Sequence, residues 1–115
     1  IKQPYNVTTA SEAALLAPLQ DAEYLDRNRD LIVAERERLI GLLSEIPGVK
    51  PRPSGGNYVL CEFEPGRASQ IFENMALRGV FLRKFGSKRL KDFFRISIGT
   101  PNDTDAVIAA LREFV

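Results

Sequence analysis

The apolar positions in the first half of the chain follow a helical period. Within residues 20–46 they recur every seven residues among charged positions, at Leu25, Ile32, Leu39 and Ile46. This spacing predicts one long helix with an apolar face. A shorter helix is expected before it, over residues 10–17, with Thr9 and Glu12 forming a capping box at its start. The long helix is interpreted as lying on a sheet, and a coiled-coil dimer is the alternative.

The second half of the chain alternates predicted strands with predicted helices. Three segments rich in β-branched and aromatic residues predict strands, and a proline-interrupted segment predicts an edge strand: residues 57–63, 80–85, 93–99 and 49–53. Helices are expected over residues 68–78 and after Thr100, and the last two strands should pair as an antiparallel hairpin. The predicted fold class is α+β, with helices packed on one face of a small, mostly antiparallel sheet of three to four strands. One domain is expected to span residues 1–115, with residues 1–8 as an extended lead-in.

Composition narrows the classes of function. Sixteen basic and 15 acidic residues leave a net charge of +1, which gives no overall attraction to nucleic acid or membranes. The chain has no histidine and one cysteine, which excludes a zinc site and a histidine-based catalytic centre within it. Cys61 is expected to be a buried apolar residue. No apolar run approaches the ~20 residues of a membrane span. The abrupt start without Met suggests a fragment of a longer protein.

Two arginines stand out as candidate ligands for an anion. Arg95 lies within an otherwise apolar strand, and Arg83 lies in the strand before it. If these strands form a hairpin, the two guanidiniums can share one face and grip a phosphate or carboxylate through paired hydrogen bonds. The alternative is that each arginine simply faces water. Nucleic-acid binding is a further reading of the basic residues 78–95, which carry interleaved aromatic side chains, Phe81, Phe85, Phe93 and Phe94.

Four short segments resemble sequences of histidinol-phosphate aminotransferases, in the same order and spacing. The segment FRISIGTP (residues 94–101) is similar to their signature near the C-terminus. PSGGNYVL (residues 53–60) resembles their Ser-x-Ala-Asn-Phe strand entry, with Gly56 in place of Ala and Tyr58 in place of Phe. GVFLR (79–83) resembles their Gly-Ile-x-Ile-Arg strand, and PYNV (4–7) resembles their passage out of the cofactor domain.

The resemblance implies a fold-type-I enzyme of histidine biosynthesis that depends on pyridoxal phosphate. Such enzymes are cytoplasmic homodimers that transfer an amino group between histidinol phosphate and 2-oxoglutarate. Their small C-terminal domain closes over the substrate. The residue matching Arg95 binds the anionic end of the substrate, the residue matching Arg83 assists, and Asn6 is expected near the active site.

The resemblance also implies what this sequence does not contain. The N-terminal large domain, with its Schiff-base lysine and its cofactor-binding residues, is expected to lie outside it. We therefore expect the fragment alone to have no catalytic residue, to bind no cofactor or metal, and to be inactive. Threonine-phosphate decarboxylases and other class I and II aminotransferases share much of the pattern. A stand-alone α+β module that binds an anion or RNA is the alternative from a different functional class.

Overall fold

Within the described residues, 7–115 without the side chain of Ala17, the computed structural model contains four helices and four strands. The helices are α1 Thr9–Leu19, α2 Ala22–Ser44, α3 Ala68–Leu77 and α4 Pro101–Phe114. The strands are β1 Val49–Pro51, β2 Tyr58–Phe63, β3 Arg83–Lys84 and β4 Phe93–Ser97. The chain divides into two compact units, the first ending at Leu31 and the second comprising residues 32–115. Most of the predicted lead-in, residues 1–6, lies outside the described residues.

The start of α1 lies one residue earlier than predicted. Thr8, and not Thr9, caps the helix, because its Oγ1 accepts a hydrogen bond of 3.1 Å from the backbone N–H of Ser11. A threonine at either position can supply the capping hydroxyl, and the sequence does not show which one stands outside the first turn. The helix also continues two residues beyond its predicted end, to Leu19.

The apolar stripe predicted along α2 is buried only towards the C-terminal end of the helix. Leu39 and Leu43 are at most 1% exposed, whereas Leu25 and Ile32 are each 39% exposed. The seven-residue repeat therefore predicted the helix and its apolar face, but not how much of that face the described residues cover. The coiled-coil alternative stays untested.

The four strands form one antiparallel sheet in the order β1-β2-β4-β3. In the centre, Leu60 of β2 lies opposite Arg95 of β4. The predicted hairpin is present, since β3 pairs with β4, and the predicted edge strand is β1. Strand β4 lies between β2 and β3. The last strand in the sequence is therefore in the interior of the sheet.

Strand β3 is shorter than the predicted strand over residues 80–85. The N–H of Val80 donates to the carbonyl of Met75 over 2.9 Å and so closes the end of α3. Gly79 adopts a φ of 76°, the left-handed conformation that glycine supplies at the end of a helix. Residues 79 and 80 therefore complete the helix, and the ladder with β4 begins only at Arg83–Lys84.

The core lies on one side of the sheet, within the second unit. Alternate residues of β2 and β4 point to that side and are at most 2% exposed: Val59, Cys61, Phe63, Phe94 and Ile96. They form one cluster with apolar residues of the three helices of this unit, among them Leu43, Met75 and Leu111. The predicted α+β class, with helices on one face of a small sheet, is confirmed. The prediction of one domain over residues 1–115 stays a prediction.

Candidate functional site

The sheet has a second face, on the side opposite the core. Successive strand residues point to opposite faces, so the neighbours of the core residues share this second face. They are exposed or half-buried: Lys50, Tyr58, Leu60, Glu62, Arg83, Phe93, Arg95 and Ser97. These eight residues are called the open face below. The open face contains both arginines that the sequence pattern selected.

Arg83 and Arg95 lie directly opposite each other on β3 and β4. Residues paired in this way point to the same face, with Cβ atoms roughly 5 Å apart. Both side chains are exposed. The hairpin therefore places the two arginines on one face of the sheet, and the convergence of their guanidiniums on a shared anion stays a prediction. Like charges in directly opposed positions destabilise a sheet, and an anion bound between the two guanidiniums would offset that repulsion.

The opposed arginines also differ from most arginines of the chain in their lack of a carboxylate partner. Eight of the eleven arginines lie within 3.9 Å of an Asp or Glu oxygen. Within residues 7–115, the three without such a partner are Arg83, Arg89 and Arg95. A guanidinium presents its N–H donors as a planar fork that matches phosphate and carboxylate oxygens. The open face thus carries two exposed forks on neighbouring strands, and neither is paired with a carboxylate of the described residues.

Tyr58 lies beside Arg95 on the open face. The Arg95 Cζ atom is 5.4 Å from the centroid of the Tyr58 ring, and Tyr58 is 41% exposed. The sequence pattern alone assigned no role to this tyrosine. Its alternation with the core residues Val59 and Cys61 was the available signal, because that alternation places Tyr58 on the same face as Arg95 once the two strands are paired.

The other end of the open face contains an ion pair between residues of the chain. Glu62 forms an ion pair with Arg52, whose Cζ atom lies 5.9 Å from the centroid of the Phe93 ring. Arg52 and Arg95 are therefore both stacked on aromatic rings, but the fork of Arg52 is occupied by a carboxylate of the chain. Among the arginines at this surface, the forks that no carboxylate of the described residues occupies are those of Arg83 and Arg95.

The aromatic side chains of the basic segment do not form a platform for RNA bases. Phe94 is fully buried in the core, and its ring centroid lies 5.1 Å from that of Phe63. Phe85 and Phe93 are half-buried, and Phe81 is 83% exposed. Stacking of successive bases requires aromatic faces presented together on one surface. This distribution does not favour the RNA-binding interpretation.

The described residues do not supply a site for a Schiff-base cofactor. Their four lysines, Lys50, Lys84, Lys88 and Lys91, are all exposed, whereas a lysine that forms a Schiff base is typically activated in a desolvated pocket. Residues 7–115 also contain no group of three or more potential metal ligands. No helix among the described residues is both long and apolar enough to cross a membrane.

Two further candidates have limited roles. Cys61 is fully buried, and its burial raises the pKa of the thiol to about 12, so the reactive thiolate is disfavoured. This agrees with its predicted place in the core. Asn6, the weakest of the candidate substrate ligands, lies outside the described residues.

Comparison with known proteins gives a consistent family pattern. A model for aminotransferase class I and II matches residues 1–111. The chain is 46% identical over 114 residues to histidinol-phosphate aminotransferase 1, chloroplastic, of Arabidopsis thaliana, covering 98% of this chain and 27% of that protein. It is 41% identical over 116 residues to the histidinol-phosphate aminotransferase of Roseiflexus castenholzii, covering 98% of this chain and 31% of that protein. The chain therefore spans about a third or less of the length of these relatives.

A solved structure extends the similarity from sequence to fold. The chain resembles histidinol-phosphate aminotransferase from Sinorhizobium meliloti, determined in complex with pyridoxal-5′-phosphate, with a TM-score of 0.80 and 30% identity. The match covers 89% of this chain and 28% of that one.

Proposed function

The chain belongs to the class I and class II aminotransferase family, and from this membership we propose that it is the substrate-binding small domain of a pyridoxal-phosphate-dependent aminotransferase. The proposed reaction transfers an amino group between histidinol phosphate and 2-oxoglutarate. The support for this substrate is the identity of 46% and 41% to two histidinol-phosphate aminotransferases.

The pairing of Arg83 with Arg95 is the observation that carries the proposal. The two lie opposite each other on the open face and have no carboxylate partner within residues 7–115. Both proposed substrates have an anionic end: a phosphate on histidinol phosphate and carboxylates on 2-oxoglutarate and its product glutamate. Arg95, in the interior strand β4, is proposed to hold this end through paired hydrogen bonds, with Arg83 assisting from the edge strand.

The cofactor is proposed to be held by other parts of the enzyme. Pyridoxal phosphate supplies the electron sink that transamination requires. The exposed lysines of the described residues do not fit a Schiff-base site. We therefore expect the 115-residue chain alone to be inactive and to bind no cofactor. Titration with pyridoxal phosphate checks this, and a stable one-to-one internal-aldimine absorption band would contradict it.

The remaining assignments follow the same family reasoning. An N-terminal large domain holding the cofactor, a homodimeric assembly and a cytoplasmic location are proposed for the complete enzyme. Asn6 near the substrate is a further proposal. Determining the sequence that precedes Ile1 in the gene tests the first of these directly, because a lysine motif for the Schiff base is expected there.

Replacing Arg95 tests the proposed substrate contact. In the complete enzyme, Arg95→Ala leaves the substrate anion without its main partner, which costs about 2–5 kcal/mol of transition-state stabilisation, or roughly 30- to 5,000-fold in kcat/KM for histidinol phosphate. Steady-state kinetics measure this loss. Arg89→Ala is the matched control, because Arg89 is also exposed and without a carboxylate partner among the described residues, but lies in the turn Lys88–Leu90 and not on the open face.

Two outcomes would contradict the proposal. A value of kcat/KM close to that of the unmodified enzyme in Arg95→Ala would remove Arg95 from the site. An equal loss in Arg89→Ala would show that general positive charge matters and that the opposed pair does not.

A further inference from the structure

We propose that Tyr58 is a positioning residue for Arg95, with its ring face holding the guanidinium in place while the N–H donors stay available to the substrate anion. The contact between Tyr58 and Arg95 is a property of this sheet. Its consequence for substrate binding rests on the proposed function.

The strand register explains why these two side chains meet. Arg95 lies opposite Leu60, and Tyr58 lies two residues before Leu60 on the same face of β2. Such diagonal neighbours are within reach of each other when one is aromatic and the other is long. The distance of 5.4 Å from the Arg95 Cζ atom to the ring centroid is within the range of a cation–π contact.

Arg95 needs a support of this kind because other charges do not hold it in place. Its opposite neighbour Arg83 repels it, and no carboxylate within residues 7–115 pairs with it. A carboxylate would fix the guanidinium but would occupy the same N–H donors that the substrate needs. A ring face attracts the guanidinium through its π-system and leaves the donors in the guanidinium plane unoccupied.

Arg52 provides an internal comparison on the same surface of the sheet. It also lies over an aromatic ring, with 5.9 Å between its Cζ atom and the centroid of Phe93, but Glu62 occupies its fork. At Arg52, stacking is therefore combined with an ion pair to a carboxylate of the chain. At Arg95 the stacking is present without the ion pair, as expected for an arginine that serves a ligand.

The backbone before β2 fixes the position of Tyr58. Ser54 Oγ donates to the carbonyl of Tyr58 and accepts a hydrogen bond of 3.1 Å from the N–H of Gly56. The ring lies close to Gly56, since a Cβ atom built at that position would be 3.4 Å from Cε1 of Tyr58. The turn that precedes β2 thus contacts both the backbone and the ring of Tyr58, and these contacts do not involve Arg95.

Two substitutions at Tyr58 separate the ring from its hydroxyl group. In the complete enzyme, Tyr58→Leu removes the π-system, and the KM for histidinol phosphate is expected to rise roughly 2- to 30-fold, with a smaller change in kcat. Tyr58→Phe keeps the ring and should retain the KM of the unmodified enzyme. In an Arg95→Ala background, Tyr58→Leu should have no further effect, because the tyrosine acts through the arginine.

A spectroscopic measurement tests the contact without relying on enzymatic activity. In the 115-residue chain labelled with ¹⁵N, the Arg95 Nε–H resonance, assigned by its loss in Arg95→Lys, should carry a ring-current shift. Tyr58→Leu should abolish this shift, and Tyr58→Phe should preserve it.

The proposal is overturned if the ring-current shift is absent, if Tyr58→Phe raises KM as much as Tyr58→Leu, or if Tyr58→Leu has its full effect without Arg95. Failure of the proposed function has a different signature. The spectroscopic results would hold, but Arg95→Ala would leave the kinetics with histidinol phosphate unchanged.

Discussion

The two faces of the sheet are formed by the same strands but differ in burial and in charge. On the core face, Cys61 and Phe94 are fully buried under helices, whereas the residues next to them in sequence point to the open face. The core face gains stability from apolar burial. The open face contains opposed like charges and exposed aromatic surface, which a sheet selected only for stability would not retain. The contrast locates the candidate chemistry: it lies where the strand residues contribute least to folding.

Replacement of neighbouring residues on β4 should give the largest difference between the faces. Phe94→Ala removes a fully buried ring whose centroid lies 5.1 Å from that of Phe63 and 5.6 Å from that of Phe72. The free energy of unfolding should fall by about 3–5 kcal/mol. Arg95→Ala, one residue away on the open face, should change it by no more than about 0.5 kcal/mol.

Urea unfolding of the 115-residue chain measures both values. A loss in Arg95→Ala that approaches the loss in Phe94→Ala would mean that the open-face arginine supports the fold. The division of roles between the two faces would then be wrong.

An intermediate effect is expected from Cys61, through the pH dependence of stability. Burial raises the pKa of its thiol from 9.0 to about 12, so the folded chain binds this proton more tightly than the unfolded chain does. The resulting contribution is complete below pH 9 and is lost as the pH rises towards 12. Between about pH 9 and 10 it should cost about 1 kcal/mol of stability.

The measurement compares the decline in the urea midpoint over this pH interval in the unmodified chain and in Cys61→Ala. The decline should be smaller in Cys61→Ala, because the remaining titrating groups are common to both. Ser97→Ala, on the open face, is the control and should keep the full decline. Equal declines in all three chains would indicate that Cys61 is accessible to solvent.

The sequence predicted those features that depend on local spacing. The alternation in residues 93–97 separates Phe94 from Arg95, and the structure places Phe94 in the core and Arg95 on the open face. The start of α4 after Thr100 was also predicted, and the structure shows that Thr100 caps it through reciprocal hydrogen bonds with Asp103. Local spacing was insufficient where two residues could compete for one role, as with Thr8 and Thr9 at the start of α1.

Features that depend on strand register were harder to predict. The hairpin hypothesis was enough to bring Arg83 and Arg95 to one face, because the two strands are consecutive along the chain. The contact of Tyr58 with Arg95 joins β2 to β4 and depends on a diagonal relation between residues 37 positions apart. No periodicity within either segment encodes that relation, so the role of the tyrosine could be inferred only after the strands were paired.

The smallest expected effect concerns the repulsion between the opposed arginines. Arg83→Ala removes one of two like charges in directly opposed positions, so the 115-residue chain should become slightly more stable, by up to about 0.5 kcal/mol at low salt. High salt screens exposed charges and should abolish the gain. Arg89→Ala should show no such salt-dependent gain, since Arg89 has no opposed arginine in a strand.

Inorganic phosphate should stabilise the unmodified chain more than it stabilises the Arg83→Ala variant, because binding to the folded state raises stability by mass action. A loss of stability in Arg83→Ala that persists at high salt would instead show that Arg83 contributes through packing, and the proposed pairing of the two arginines around an anion would lose its support.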